Sequence, residues 1–328
     1  MKKENEDSLI IQTNNLTKKF DKLIAVNKLN ININEGEIFG LLGPNGAGKT
    51  TTLSMLSTLL PPSEGTAFVN GFNVEKEPSK VRHSIGFVFQ DPSSDDLLTG
   101  RENLYLHALM YGVEMRNINQ KMDDVLKLVD LTDRQNERMK KYSGGMRRRL
   151  ELARGLLHEP KILFLDEPTL GLDPQTRAHI WSYIKKLSTE KKVTIILTTH
   201  YMEEADQLCD RLAIIDHGKV VALDTPTNLK KSLGGDVVTL KIKNPNIEAV
   251  KKLKYVKNIK EENDVLTLTA DNASSHLQEI LKKIGNVESV ESRSPTLNDV
   301  FLHFTGREIR DQESEGGTFE RMINSRRK

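Results

Sequence analysis

"EIFGLLGPNGAGKTTTLSMLSTLL", residues 37–60, passes from an unbroken apolar run through a glycine-rich loop into a helix-forming segment. The loop, Gly43 to Thr50, fills every fixed position of G-x-x-x-x-G-K-[ST] between a strand and a helix. That arrangement suits phosphate for physical reasons. Gly43, Gly46 and Gly48 let the chain turn with its N–H groups facing inward, and Pro44, Asn45 and Ala47 complete the cradle. Lys49 adds a point charge for the β- and γ-phosphates, the Thr50 hydroxyl suits Mg2+, and Thr51 follows in the first helical turn, where unpaired N–H groups favour an anion.

Such a loop implies a mainly parallel α/β sheet, and two more continuous apolar runs extend it. "KILFLDE" (161–167) and "VTIILTTH" (193–200) read as strands covered on both faces, whereas "LNININEGE" (29–37) alternates and reads as part of an antiparallel edge sheet. Asp166 and Glu167 close a buried strand at its C-terminal end, where open α/β sheets bind ligands. Asp166 suits a metal shell, and Glu167 reads as the base for a water attacking the γ-phosphate. Gln90 ends "IGFVFQ" and His200 ends "TIILTTH", two further polar strand ends that read as water-positioning or phosphate-sensing groups.

"KKYSGGMRRRLELARG" (140–155) sets Ser143, Gly144 and Gly145 before a segment in which Met146, Leu150, Ala153 and Leu157 recur at helical spacing. Its helix N-terminus suits an anion, yet nothing nearby supplies a nucleophile, a base or a metal ligand. Glu151 has Arg147, Arg148 and Arg154 at pairing distance along the helix, so the arginine run reads as a solvated surface.

Lys plus Arg total 48 against 46 Asp plus Glu, a formal charge of +2 that gives no support to a dedicated nucleic-acid binder. The start, MKKENEDSLI, lacks the apolar core and small-residue site of a signal peptide, and the longest apolar runs fall short of the roughly 20 residues of a membrane helix. A single cysteine, Cys209, excludes an internal disulfide and fits a reducing compartment. Around "SLGGD" (232–236) the pattern changes, and residues 235–304 read as strand, helix, two strands joined by an "EEND" turn, helix and strand. This is the βαββαβ order of a ferredoxin-like domain, without the stacking aromatics of an RNA-recognition module. Thr296 and Asp299 mark the start of a short helix, and residues 305–328 read as a flexible polar tail.

Together, "GPNGAGKT", Gln90, "YSGGM", "ILFLDE", "GLD" (171–173) and His200 occur in the order of an ABC-transporter ATPase, which residues 9–230 resemble. The resemblance implies an α/β P-loop NTPase fold of the ABC type over residues 1–234, with a mainly parallel core sheet, an antiparallel edge sheet and a helical subdomain at about 91–158. It implies ATP and Mg2+ as ligands, with Thr50, Gln90 and Asp166 around the metal, Glu167 as base and His200 as the γ-phosphate switch. Phe20 falls where the family stacks an aromatic ring on adenine. Ser143, Gly144 and Gly145 would contact ATP held by a second copy of the chain, and Asp173 would lie at the seam of that homodimer. Tyr142 and Met146 depart from the usual L-S-G-G-Q of the signature.

A narrower resemblance, carried by "YSGGMRRRLELARGLLHEPKILFLDEPTLGLDPQTR", "DDLLTGRENL" and "SPTLNDVFLHFTGR", is to the daunorubicin-resistance-type group. It implies a peripheral subunit at the cytoplasmic face of the cell membrane that drives a separate integral membrane permease exporting drugs, lipids or polysaccharide, with no nucleic-acid partner. Thr99 and Glu102 form a T-x-x-E capping pattern on the surface that would receive the permease, and the arginine run would face it too. The alternative is a non-transport ABC ATPase switching on nucleic acid or the ribosome. Against it stand a single phosphate loop and the lack of sustained heptads between Lys49 and Ser143.

Overall fold

The three continuous apolar runs lie side by side in one sheet of six strands. The computed structural model describes residues 9–306; the sequence start, residues 1–8, and nearly all of the expected tail, from residue 307 on, lie outside the described residues. Chain contacts divide the protein into two units between Leu223 and Asp224.

In the first unit an antiparallel sheet contains β1 (Leu9–Phe20), β2 (Leu23–Leu29), β3 (Asn32–Asn34), β5 (Glu64–Val69) and β6 (Phe72–Asn73). The alternating "LNININEGE" supplies β3, which pairs antiparallel with β1 as expected. The second sheet contains β4 (Ile38–Leu42), β7 (Ile85–Val88), β8 (Ile162–Asp166), β9 (Thr194–Thr199), β10 (Arg211–Asp216) and β11 (Lys219–Asp224), in the order β11-β10-β4-β9-β8-β7. From β10 to β7 its pairs are parallel, and β4, β8 and β9 are buried along their whole length. Continuous Ile, Leu, Val and Phe suit strands covered on both faces, and each such side chain contributes about 1.5–3 kcal/mol on burial.

The register of this sheet assembles the site. Leu42 pairs with Thr199 and Asp166 with Thr198, so the ends of β4, β9 and β8 lie in a row. Helix α1 (Lys49–Leu56) leaves the phosphate loop, and α2 (Pro78–Ser84) precedes β7. Between β7 and β8 the chain forms α3 (Gly100–Met110), α4 (Met115–Leu128) and α5 (Gly144–Leu156). Thr99 and Glu102 close a reciprocal capping box on α3, as their spacing predicts. Helices α6 (Pro174–Lys191) and α7 (Met202–Leu208) flank β9 in sequence.

The second unit opens with α8 (Pro226–Lys231), one helix before the "SLGGD" stretch. It continues through β12 (Asp236–Lys241), α9 (Ile247–Lys251), β13 (Val256–Glu262), β14 (Val265–Ala270), α10 (Ala273–Ile284), β15 (Ser289–Arg293) and α11 (Leu297–Thr305). Its sheet order, β13-β14-β12-β15, is antiparallel throughout, which gives the ferredoxin-like βαββαβ topology. Asn263 and Asp264 turn the hairpin with φ of +50° and +61°, the left-handed pair of a two-residue turn. Val238, Leu240, Leu266, Leu268, Ile280 and Ile284 fill this unit's core. Among the described residues no helix is long and apolar enough to cross a membrane.

Candidate active site

The phosphate loop begins where β4 ends. Gly43 N–H donates to the Thr199 carbonyl at 3.2 Å, tying the loop to β9. At Gly48 φ is +104°, and a Cβ there would lie 2.3 Å from the Ala25 carbonyl oxygen, so only glycine fits. Asn45 and Gly46 are exposed at the loop tip, whereas Ala47 is buried. Thr51, in the first turn of α1, is half-buried.

Lys49 is buried, and its Nζ donates to the carbonyls of Gly43 (2.8 Å) and Pro44 (3.2 Å) while lying 3.2 Å from Glu167 Oε1. The other carboxylate oxygen of Glu167, Oε2, is 2.7 Å from His200 Nδ1. Burial pushes the Glu167 carboxyl upward, but the His200 hydrogen bond and the Lys49 charge outweigh it and hold the group below its ordinary value. An ionised carboxylate accepts from both neighbours. The Glu167 backbone is left-handed, φ +48°, a conformation rarely held by a residue with a side chain and met at functional sites.

Asp166 Oδ1 accepts from Thr50 Oγ1 (2.9 Å) and Thr198 Oγ1 (2.5 Å). Burial raises its carboxyl above the ordinary value, with these two hydroxyls opposing. Thr198, fully buried, also accepts from Glu167 N–H at 3.0 Å and so ties the Asp166 carboxylate to the Glu167 backbone. The sequence reading missed this residue. Its only signal was a hydroxyl inside an apolar run. The Thr50 hydroxyl and the Asp166 carboxylate form a pair of hard oxygens at the strand end, a donor set that fits Mg2+.

Gln90 lies two residues beyond β7, which stops at Val88 rather than running through "IGFVFQ". Its carbonyl is 3.5 Å from Arg148 Nη1, and that contact corrects the reading of the arginine run. Arg154 does pair with Glu151, at 2.9 Å, but Arg147 pairs with Asp96. Arg148 is only 6% exposed and donates to the carbonyls of Phe89 (2.5 Å), Pro168 (2.6 Å) and Asp166 (3.0 Å). Burial pushes its guanidinium down to about 10. A helical-wheel pairing rule sees only neighbours on the same helix, and these carbonyls come from the end of β8 and from loops distant in sequence.

Ser143 caps α5, its Oγ accepting from Met146 N–H at 3.2 Å. Ser143 and Gly144 are exposed, and the described hydrogen bonds of Ser143 stay within this helix end. Gly145 packs against α6, where a Cβ would meet Thr176 Cγ2 at 2.4 Å. Tyr142, the first departure from the usual signature, is buried and donates its hydroxyl to the Arg134 carbonyl at 2.9 Å. Met146, the second, is half-buried. Asp173 is exposed and caps α6 by accepting from Thr176 N–H at 3.0 Å. Phe20 ends β1 half-buried, with Lys18 Nζ 5.3 Å from its ring centre. Lys49, Thr50, Asp166, Glu167 and His200 thus form one linked cluster, and Ser143, Asp173 and Phe20 make no described hydrogen bond to it.

The family model described as ABC transporter matches residues 26–170, and that of the ATP-binding protein DrrA1-3-like, C-terminal domain, matches residues 225–305. The daunorubicin resistance ATP-binding protein DrrA3 of Streptomyces coeruleorubidus is 39% identical over 304 residues, 90% of this chain and 96% of that protein. The chain belongs to the ATP-binding proteins of ABC transporters, in the daunorubicin-resistance group. This ABC ATP-binding protein is also 37% identical over 314 residues to the linearmycin resistance ATP-binding protein LnrL of Bacillus subtilis, covering 92% of its own length and 100% of the relative. Its structure is similar to the ATP-binding cassette MJ0796, solved as a dimer in a post-hydrolysis state bound to ADP and Pi. The TM-score is 0.59 at 30% identity, over 66% of this chain and 98% of that one. As a member of the family, the ABC ATP-binding protein binds and hydrolyses ATP, and the nucleic-acid alternative finds no support among these relatives.

Proposed function

We propose that two copies of this chain close head to tail around two ATP and drive a separate membrane permease from the cytoplasmic face, exporting a drug-like, lipid or polysaccharide cargo. The observation that carries the reading is a division of labour within one chain. The phosphate loop, Asp166, Glu167 and His200 form one cluster, while the anion-suited N-terminus of α5 is exposed and, among the described residues, has no hydrogen-bonded base or grouped metal ligands of its own. A second copy supplies what each half lacks. The similar cassette is a dimer, and the relatives are named for resistance to linearmycin and daunorubicin, which supports both the pairing and an export role.

In this reading Lys49 and the loop N–H groups of Gly43 to Gly48 hold the phosphates, Phe20 stacks on the adenine, and Glu167 accepts the proton of the attacking water. Thr50, Asp166 and Gln90 would hold Mg2+, which when bound neutralises charge on the β- and γ-phosphate oxygens. His200 and Gln90 report whether the γ-phosphate is present, Ser143 to Gly145 approach it from the second copy, and Asp173 lies at the seam. Loss of the γ-phosphate removes the contacts that differ between closed and open dimers, so hydrolysis resets the switch. The Glu167→Gln variant tests the dimer: sedimentation should show ATP-dependent conversion from monomer to dimer. A variant that binds ATP and stays monomeric at every concentration contradicts it.

A further inference from the structure

Side chains of α5 hold the segment that follows β7 along its length. Arg148 reaches the Phe89 carbonyl at 2.5 Å and the Gln90 carbonyl at 3.5 Å, and Glu151 accepts from the N–H groups of Ser93 (3.2 Å) and Ser94 (3.1 Å). Arg147 pairs with Asp96 at the far end. The remaining donors of Arg148 turn the other way, Nη2 to the Asp166 carbonyl at 3.0 Å and Nε to the Pro168 carbonyl at 2.6 Å. Those two carbonyls stand immediately before and after Glu167. One planar cation therefore spans the backbone at Phe89 and Gln90 and the backbone on both sides of Glu167.

A guanidinium is rigid, and its donors point in fixed directions within one plane, so displacing it displaces all of its acceptors together. Arg148 and Ser143 stand on the same helix, five residues or about 7.5 Å apart along its axis. A shift of the α5 N-terminus is thus carried to Glu167 without any contact between them.

We propose that Arg148, supported by Glu151, is a positioning residue for hydrolysis: it sets Gln90 and Glu167 according to where the signature helix sits. An ATP engaged by Ser143 to Gly145 would in this way align the base of the chain that carries them, which couples the two sites of the dimer. The inference rests on the reading of Glu167 as base and Gln90 as sensor. Burial alone would make Arg148 a packing residue, so the test must separate alignment from stability.

Steady-state ATPase kinetics of the full chain make that separation. Arg148→Lys keeps the charge but loses the planar fork. It should lower kcat about tenfold or more while KM for ATP stays within about twofold, because Lys49 and the phosphate loop are untouched. In a Glu167→Gln background the same substitution should change the residual rate by less than about twofold, since the group it aligns is already disabled. A kcat for Arg148→Lys within twofold of the parent, or an equal fold loss in both backgrounds, overturns the proposal. If Arg148→Lys does not fold, Glu151→Gln probes the same clamp from its other end. It should lower kcat about threefold or more at unchanged KM, and an unchanged kcat overturns the proposal. Glu167→Gln turning over at the parent rate would instead overturn the assignment of the base, whatever the Arg148 variants do.

Discussion

Glu167 and His200 are joined by a 2.7 Å hydrogen bond between Oε2 and Nδ1, with the opposite carboxylate oxygen 3.2 Å from Lys49. Both neighbours stabilise the ionised form, so the carboxylate is ready to accept a proton at neutral pH. Glu167→Gln keeps the shape and removes the basicity. It should reduce kcat by roughly 10²–10⁴-fold, the usual contribution of a general base, while leaving ATP affinity within a few-fold. Single-turnover hydrolysis and nucleotide titration measure the two quantities. Protonation of Glu167 should contribute to the acid limb of the parent's pH profile only below the ordinary glutamate range, because the His200 hydrogen bond and the Lys49 charge hold its carboxyl down.

Gly48 faces the Ala25 carbonyl with φ at +104°. Gly48→Ala would place a methyl group 2.3 Å from that oxygen in a backbone region L-residues rarely adopt. The loop must open to accept it, so ATP binding should be lost at concentrations that saturate the parent, and stability should drop by about 1–3 kcal/mol. Calorimetric titration and thermal melting would register both. Gly46→Ala has open space around it and only the φ of +80° against it, so it should be the milder change.

Tyr142 departs from the family signature, next to the Ser143 to Gly145 stretch proposed to face the phosphate. Its ring is buried and its hydroxyl bonds the Arg134 carbonyl at 2.9 Å. Tyr142→Phe should cost about 0.5–1.5 kcal/mol of stability, the net worth of one such hydrogen bond, and leave kcat unchanged. Denaturant unfolding paired with ATPase rates would show it.

His107 stacks on Tyr111 with its Nδ1 buried and unpartnered among the described residues. Burial, helped by the positive charge of Arg154 and by His158, lowers its pKa to about 4 from 6.5. The sign follows from linkage. The unfolded chain takes up the proton first, so this stability is fully present above pH 6.5 and is lost as pH falls towards 4, at no more than roughly 1.4 kcal/mol per pH unit. His107→Phe keeps a ring against Tyr111 and removes the titration. The fall in melting temperature between pH 6.5 and 4 should become shallower in that variant, with His158, also lowered by burial, supplying part of what remains.

The parts of the site that were legible in the sequence are those whose chemistry is contiguous. "GPNGAGKT" and "ILFLDEP" each put their reactive groups on one strand end, and the buried continuity of β4, β8 and β9 is written in their own residues. The ferredoxin-like order of the second unit was equally local, with each strand and helix declaring its period. Arg148 was not legible, because all its acceptors are backbone carbonyls, which carry no side-chain signal, at a strand end and in loops 18 to 59 residues away. Thr198 was hidden for a related reason: a threonine in a β-strand reads as ordinary strand composition until Asp166 and Glu167 are seen beside it. Gln90 was read as a strand end, but the strand gives way at Phe89, where Arg148 takes the carbonyl.

The central claim is that each ATP is hydrolysed between the phosphate loop of one copy and the signature of the other. Mixing two inactive full-length variants, Lys49→Ala and Ser143→Arg, and measuring ATPase activity tests it most directly. In a mixed dimer one site keeps Lys49 from the second variant and Ser143 from the first, so activity should return. It should reach up to roughly a quarter of the parent rate at equal mixing, because half of randomly paired dimers are mixed and each has one intact site, and less to the extent that lost coupling through Arg148 slows that site. If the mixture is no more active than the two variants apart, although sedimentation shows mixed dimers, Ser143 does not act across the dimer and the account is wrong.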